Sequence, residues 1–253
     1  MKILQIGCGA MGTPILINCK KYYNDITLLT IGTRHIENIK CINSFNKIQD
    51  EKFDIILIAI KPQQFNEISQ KINEITDENT IIVSIMAAIT TDYLAKKISN
   101  TKNFIRVMPN LGMMLKSGGI SLVYYKVEYS KETKCTKIVE NIFGESSILS
   151  ILPHEQSLDA FTPITGCGIA YFALFGTLLE QWSETSSIQI IRKLMENTVE
   201  LSEQCSFQEI IDKISSKGGV TEAVINAMKD KMKEAIKEGL KAGELKIQEL
   251  QKD

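Results

Sequence analysis

Three short stretches of this chain carry residue types at spacings that could do chemistry. The first, Gly7-Cys8-Gly9-Ala10-Met11-Gly12, fits the pattern G-x-G-x-x-G between an apolar run and an apolar helical stretch. In that context Gly7 permits a tight turn, Gly9 lets backbone approach a pyrophosphate, and Gly12 allows close helix–strand packing. The helix start adds unpaired N–H groups and a positive dipole end for phosphate oxygens. An ordinary β–α turn is the plainer alternative, and the strand–turn–helix context favours a dinucleotide. The second stretch, Leu29-Thr30-Ile31-Gly32-Thr33-Arg34-His35, lacks the carboxylate that usually bonds the adenosine ribose of NAD. Thr33 and Arg34 suit a 2′-phosphate, so NADPH is the expected cofactor and NADH the second choice. The third, Ser215-Ser216-Lys217-Gly218-Gly219-Val220-Thr221, precedes an apolar helix. Its N–H groups suit a small carboxylate, but Ser or Thr there serves equally as a helix cap, and spacing does not separate the two readings.

Bulk properties narrow the partners. With 29 Lys plus Arg against 30 Asp plus Glu, the chain has no electrostatic reason to seek nucleic acid or an anionic membrane. The six cysteines show no CxxC or ligand-like spacing and only two histidines are present, so no metal site is expected. Reduced thiols and a first strand beginning at Lys2 point to a cytoplasmic protein without a signal peptide. The strongly apolar run at 168–179 is shorter than the ~20 residues of a membrane span and reads as a buried helix.

The elements that must position these residues follow from periodicity. Apolar runs at 2–6, 26–31, 53–60, 80–85 and 104–108 read as strands, and helical patterns occupy 13–22 and 65–75. The run at 53–60 is continuously apolar, as a parallel strand buried on both faces should be. From about residue 155 strand-like runs stop and helical patterns fill the chain. The expected architecture is an α/β, doubly wound Rossmann-type domain at 1–153, followed by an all-helical domain at 154–253.

In this order the motifs resemble the pyrroline-5-carboxylate reductase family along nearly the whole chain. They comprise the GCGAMG turn, Ala59-Ile60-Lys61-Pro62-Gln63, Ser84-Ile85-Met86-Ala87-Ala88-Ile89, Arg106-Val107-Met108-Pro109-Asn110, Thr165-Gly166-Cys167-Gly168-Ile169-Ala170-Tyr171 and Ser216-Lys217-Gly218-Gly219-Val220-Thr221. The resemblance implies hydride transfer from NADPH to the cyclic imine 1-pyrroline-5-carboxylate, giving L-proline. It implies NADPH across residues 7–12, with Thr33 and Arg34 at the adenosine phosphate. Ala59, Ile60, Lys61, Pro62, Ala87 and Ala88 would flank the ribose and nicotinamide, with Met108 and Asn110 nearby. The substrate carboxylate would lie on Ser216, Gly218 and the N–H groups of Gly219, Val220 and Thr221, with the Thr221 hydroxyl toward the ring nitrogen. The implied assembly is a homodimer or larger, each site completed by a neighbouring subunit.

Several positions depart from the family pattern. Leu111 and Gly112 replace Thr-Pro, Ile169 replaces a proline, Ala88 a glycine, Lys217 a proline and Val224 a small residue. These lie in loops that shape the substrate pocket, so a related imino- or keto-acid reductase, or an NADPH-binding homologue without catalysis, stands as the alternative. A lysine on the first helix of the second domain would mark hydroxyacid reductases, and residues 166–181 contain none.

Overall fold

The computed structural model describes residues 1–31, 36–144, 147–181 and 188–251. Among the described residues eight strands form one sheet: β1 (Lys2–Ile6), β2 (Asp25–Leu29), β3 (Lys40–Ile42), β4 (Ile55–Ile58), β5 (Ile81–Ser84), β6 (Asn103–Pro109), β7 (Gly119–Lys126) and β8 (Ser147–Ile151). Their spatial order is β3-β2-β1-β4-β5-β6-β7-β8. The chain thus winds outward from β1 in one direction and returns with β4 on its other side. That reversal opens a crevice at the carboxyl ends of β1 and β4, where doubly wound sheets bind ligands. The strand ends there are level: Gly7 N–H donates to Leu29 O at 2.9 Å, Ala59 N–H to Ile6 O at 2.8 Å and Ile85 N–H to Ile58 O at 3.1 Å.

Alternation in the strands feeds two separate apolar layers. Ile55 and Leu57 join the layer containing Ile15, Leu16 and Cys19 of α1 (Gly12–Tyr22). Ile56 and Ile58 join Phe65 and Ile72 of α2 (Phe65–Glu74) and Leu94 of α3 (Thr91–Lys97). All four β4 residues are fully buried, as the unbroken apolar run required. α4 (Glu132–Val139) completes the first layer through Cys135, Ile138 and Val139.

The sheet departs from the sequence expectation at its far edge. β7 runs antiparallel to β6, with Pro109 opposite Ser121, and β8 then pairs parallel to β7. The nine-residue return from β6 to β7, residues 110–118, is too short for a parallel crossover, which needs a dozen residues or more, so an antiparallel partner follows.

The chain forms two compact units, residues 1–167 with 244–253, and residues 168–243. This differs from the expected division at 153/154, because α5 (Glu155–Thr165) belongs to the sheet-bearing unit. Leu158 is fully buried against Met108 and Leu122, and Asp159 and Glu155 form ion pairs with Arg106 of β6. The second unit holds α6 (Gly168–Glu180), α7 (Ile188–Ser202), α8 (Phe207–Ile214) and most of α9 (Val220–Leu250). α8 begins with a capping box, Ser206 Oγ accepting from Glu209 N–H while the Glu209 carboxylate accepts from Ser206 N–H at 2.8 Å. α6 meets α7 where Gly176 lies against Met195 and Ile191.

The expectation that 168–179 is a buried helix is not met within this chain. No α6 side chain is buried, and Phe172 is 70% and Leu174 59% exposed. Within Glu155–Glu180 an 18-residue stretch reaches a mean hydropathy of 1.4, long and apolar enough to cross a membrane by length and composition alone. Residues Glu155–Glu180 are divided here into α5 and α6 at Gly166 and Cys167. An apolar surface of this extent requires a covering partner.

Candidate active site

The turn's own geometry demands glycine at Gly7 and Gly12. Gly7 has φ +94°, and a Cβ there would stand 2.4 Å from Ala59 O. A side chain at Gly12 would meet Gly7 O at 2.8 Å and the Ala59 methyl at 3.3 Å. Gly9 is the opposite case: nothing lies within 4 Å of a Cβ placed on it, which leaves open space beside the backbone. α1 starts just beyond, with no side-chain cap at Met11 and no acidic residue in its first turn. A helix start left without its own cap fits an incoming phosphate.

Gln5 supports this turn from the strand below. It is fully buried, and its Nε2 donates to Gly7 O at 2.9 Å and Gly12 O at 2.7 Å. Its sequence signal is a lone amide inside the apolar run of β1. Thr13 Oγ1 donates to Gly9 O at 2.9 Å and lies 3.4 Å from the Cys8 sulfur. The Gly9 carbonyl is thereby held, while the face of the turn near Gly9 stays open.

The other cofactor candidates gather on the same carboxyl edge of the sheet. Ala59, Ile60 and Lys61 follow β4, and Pro62 opens a short 3₁₀ turn in which Gln64 Oε1 accepts from Lys61 N–H at 3.3 Å. Ala87 and Ala88 follow β5, and Ser84 Oγ accepts from Met86 N–H at 3.3 Å. Ala88 has φ +65°, a left-handed conformation that L-residues with a Cβ adopt at a cost. A cavity of about 210 Å³ opens beside it, bounded by Thr90, Tyr93, Lys96 and Leu250. Met108 packs with Leu122 and Leu158, and Ala87 joins that cluster, so the ends of β5 and β6 share one apolar contact.

Asn110, which the resemblance implies lies near the nicotinamide, is held by three hydrogen bonds of its own. Its Oδ1 accepts from Gly112 N–H at 3.1 Å and Ile120 N–H at 3.0 Å, and its Nδ2 donates to Thr165 O at 3.1 Å. It therefore fastens the β6–β7 connection to the end of α5. Gly112 and Gly119 lie against each other there; a Cβ on Gly119 would stand 2.4 Å from Asn110 Oδ1.

Arg106, within the same motif but given no role by the sequence, is the centre of a buried network. Its side chain is fully buried, and Nη2 and Nη1 reach Asp159 at 2.6 and 3.2 Å while Nη1 reaches Glu155 at 3.2 Å. Glu155 also accepts from Thr91 N–H at 2.7 Å and Thr91 Oγ1 at 2.6 Å, and Gln251 Nε2 donates to Asp159 at 2.9 Å. α3, α5, β6 and the chain's last described residue are thus joined. A basic residue in a buried strand was the available signal, but its partners are 49 and 53 residues away.

The substrate candidates lie in the second unit. Gly218 has φ +73°, and its N–H donates to Glu222 Oε2 at 2.6 Å. Gly219 N–H donates to Ser216 O at 2.9 Å, so it is spent within the turn. Val220 and Thr221 begin α9, where N–H groups have no carbonyl four residues back in the helix to meet. Thr33 and Arg34 lie outside the described residues. Among the thiols, burial pushes Cys19 up to about 12 and Cys135 up to about 11, which holds both as unreactive packing groups.

Residues 155–250 match the family model described as pyrroline-5-carboxylate reductase dimerisation. A pyrroline-5-carboxylate reductase of Aquifex aeolicus is 27% identical over 87% of this chain and 86% of its own length. Pyrroline-5-carboxylate reductase 1 of Bacillus subtilis is 26% identical over 70% of this chain and 61% of its own. Among solved structures, a Plasmodium falciparum pyrroline carboxylate reductase with NADP bound superposes with a TM-score of 0.83 at 20% identity, covering 99% of this chain and 98% of that one.

Proposed function

We propose that this chain, which belongs to the pyrroline-5-carboxylate reductase family, reduces 1-pyrroline-5-carboxylate to L-proline at the expense of NADPH in the cytoplasm. The observation that carries this reading is the glycine turn at the sheet's reversal point, open at Gly9 and followed by an uncapped helix start. The Aquifex and Bacillus relatives bear the name of this reaction, and the Plasmodium structure bears NADP.

Residues 7–12 would hold the pyrophosphate, with Ala59–Pro62, Ala87, Ala88 and Met108 lining the nicotinamide end and Thr33 and Arg34 serving the 2′-phosphate. Bound there, the reduced nicotinamide supplies the hydride that the imine carbon accepts. The protein's own residues do the rest by holding and orienting. The N–H groups of Val220 and Thr221, with Ser216, receive the substrate carboxylate at the positive end of α9. The Thr221 hydroxyl orients the ring nitrogen. An imine that arrives protonated needs no strong enzymic acid, and positioning accounts for most of the catalysis.

The exposed apolar helices of the second unit are the covering surface of a homo-oligomer. They fall in the region matched to dimerisation, and a partner's helices would complete each site. Light scattering after gel filtration without detergent should give at least twice the 28.4 kDa chain mass; a detergent-dependent monomer would favour a membrane surface instead.

The test is loss of reduced-nicotinamide absorbance with purified protein and pyrroline-5-carboxylate, NADPH and NADH run in parallel. Imine-dependent oxidation, faster with NADPH, supports the reading. Demonstrable NADPH binding without oxidation on this imine would turn the reading to another imino or keto acid, or to a binding protein. Thr221→Val that kept wild-type turnover and affinity would remove Thr221 from the mechanism.

A further inference from the structure

Glu222 stands one residue beyond Thr221, in the first turn of α9, and none of the roles above uses it. Its carboxylate accepts from Gly218 N–H at 2.6 Å, its only polar partner among the described residues. Gly218 holds a left-handed φ of +73°, which glycine alone adopts at no cost. Gly219 is pressed on Ser216, since a Cβ there would stand 2.5 Å from Ser216 Oγ. Two internal bonds therefore close the turn, Gly218 N–H to Glu222 and Gly219 N–H to Ser216 O. What remains for a ligand is the first turn of α9, with the N–H groups of Val220 and Thr221 among those left to it. The charge that closes the turn stands at the same helix start as the carboxylate to be bound.

We infer that Glu222 is a positioning and specificity-determining residue of the substrate site, which sets the turn through Gly218 and restricts it to acids carrying a single negative charge. This rests on the reading of residues 216–221 as a carboxylate cradle. The bond to Gly218 fixes which N–H groups point outward. The charge repels every anion that enters, and a dianion meets more of that repulsion than a monoanion. A glutamate held here by a backbone N–H and facing no cation among the described residues weakens substrate binding in exchange for excluding dicarboxylates, a device that works by repulsion rather than by added contact.

The experiment compares the full-length wild type with Glu222→Gln and Glu222→Ala. Steady-state kinetics with pyrroline-5-carboxylate give KM and kcat, and calorimetry gives the affinities of L-proline and of glutarate, a dianion probe. Glu222→Gln keeps an amide oxygen for the Gly218 N–H and removes the charge. Its KM should fall about three- to tenfold, the range for like charges a few ångströms apart near a wet surface, with the change on KM rather than kcat. Glutarate should gain more than L-proline does. Glu222→Ala removes the bond as well, so its KM should rise and its kcat fall as the turn loosens. If Gln and Ala shift KM in the same direction, or if Gln leaves the L-proline and glutarate affinities unchanged, the inference is overturned. A wild type that turns over no imine defeats the functional reading, yet the calorimetric comparison of the two acids still decides the role of Glu222. A wild type that binds neither acid overturns the cradle and this inference with it.

Discussion

Replacing Arg106 with methionine should destabilise the protein more than any single surface change, and the structure sets the size. The guanidinium is fully buried and makes three contacts to two carboxylates whose side chains are only 13% and 17% exposed. Methionine fills comparable space but leaves Glu155 and Asp159 facing one another without a counter-charge. Removing one partner of a buried ion pair costs ~3–5 kcal/mol. The remaining donors, Thr91 on Glu155 and Gln251 on Asp159, soften the loss toward ~3 kcal/mol. Against a total stability of ~5–15 kcal/mol that is a large fraction. The melting temperature should fall by ~6–12 °C, at ~2–4 °C per kcal/mol for a chain of this size. Thermal unfolding is read by circular dichroism at one fixed protein concentration, because subunit association makes the transition concentration-dependent. The triple variant Arg106→Met/Glu155→Gln/Asp159→Asn should recover part of the loss, since the stranded charges are gone. A single variant within ~1 kcal/mol of wild type would refute the argument, as would a triple variant no more stable than the single one.

Further outcomes follow from other positions. Gly7→Ala places a Cβ 2.4 Å from Ala59 O at φ +94°, so the turn must shift; isothermal titration should show NADPH affinity reduced at least ~10-fold. Ala88→Gly relieves a left-handed alanine at φ +65°, and the melting temperature should rise by ~2–4 °C, a gain of ~1 kcal/mol. Iodoacetamide at neutral pH should label at most three of the six cysteines in the folded protein, sparing the buried Cys8, Cys19 and Cys135, and all six after denaturation; mass spectrometry counts them. Hydrogen bonds from Lys2 and Lys40 hold the Glu51 carboxyl below its usual value. Its contribution is complete above the ordinary glutamate range and is lost as pH falls through the lowered folded value. Acid titration of Glu51→Gln should therefore show a shallower fall in melting temperature than wild type.

What the sequence disclosed depended on whether the cause was local. The strands β1, β2, β4, β5 and β6 were legible because a strand buried on both faces reads as an unbroken apolar run. β7 escaped notice because only its middle is buried, its partner runs antiparallel, and glycine and polar residues flank it. The helix at 168–179 was found, but its burial was not: a helix apolar on every side does not reveal which face is covered, or by which chain. The attachment of α5 to the sheet-bearing unit was hidden for a different reason. α5 is attached to the sheet by Arg106, and that attachment spans about fifty residues and leaves no periodic trace. In the site, the tight turn at Gly7 and the close packing at Gly12 were readable because each is a property of one residue's backbone. The engagement of Asn110 with Gly112, Ile120 and Thr165, and of Glu222 with Gly218, required the folded turns to be seen.

The central claim is that hydride passes to the imine carbon of pyrroline-5-carboxylate on this protein, and deuterium tests it most directly. Purified protein is incubated with pyrroline-5-carboxylate and NADPH carrying deuterium at the transferable nicotinamide position, and the product is isolated for mass spectrometry and NMR. The account predicts L-proline bearing one deuterium on the CH2 carbon next to nitrogen rather than on the carboxylate-bearing carbon, formed only when protein is present and more slowly with Gly7→Ala at limiting NADPH. Cofactor consumption without labelled proline, or no labelled product despite measurable NADPH binding, would contradict it.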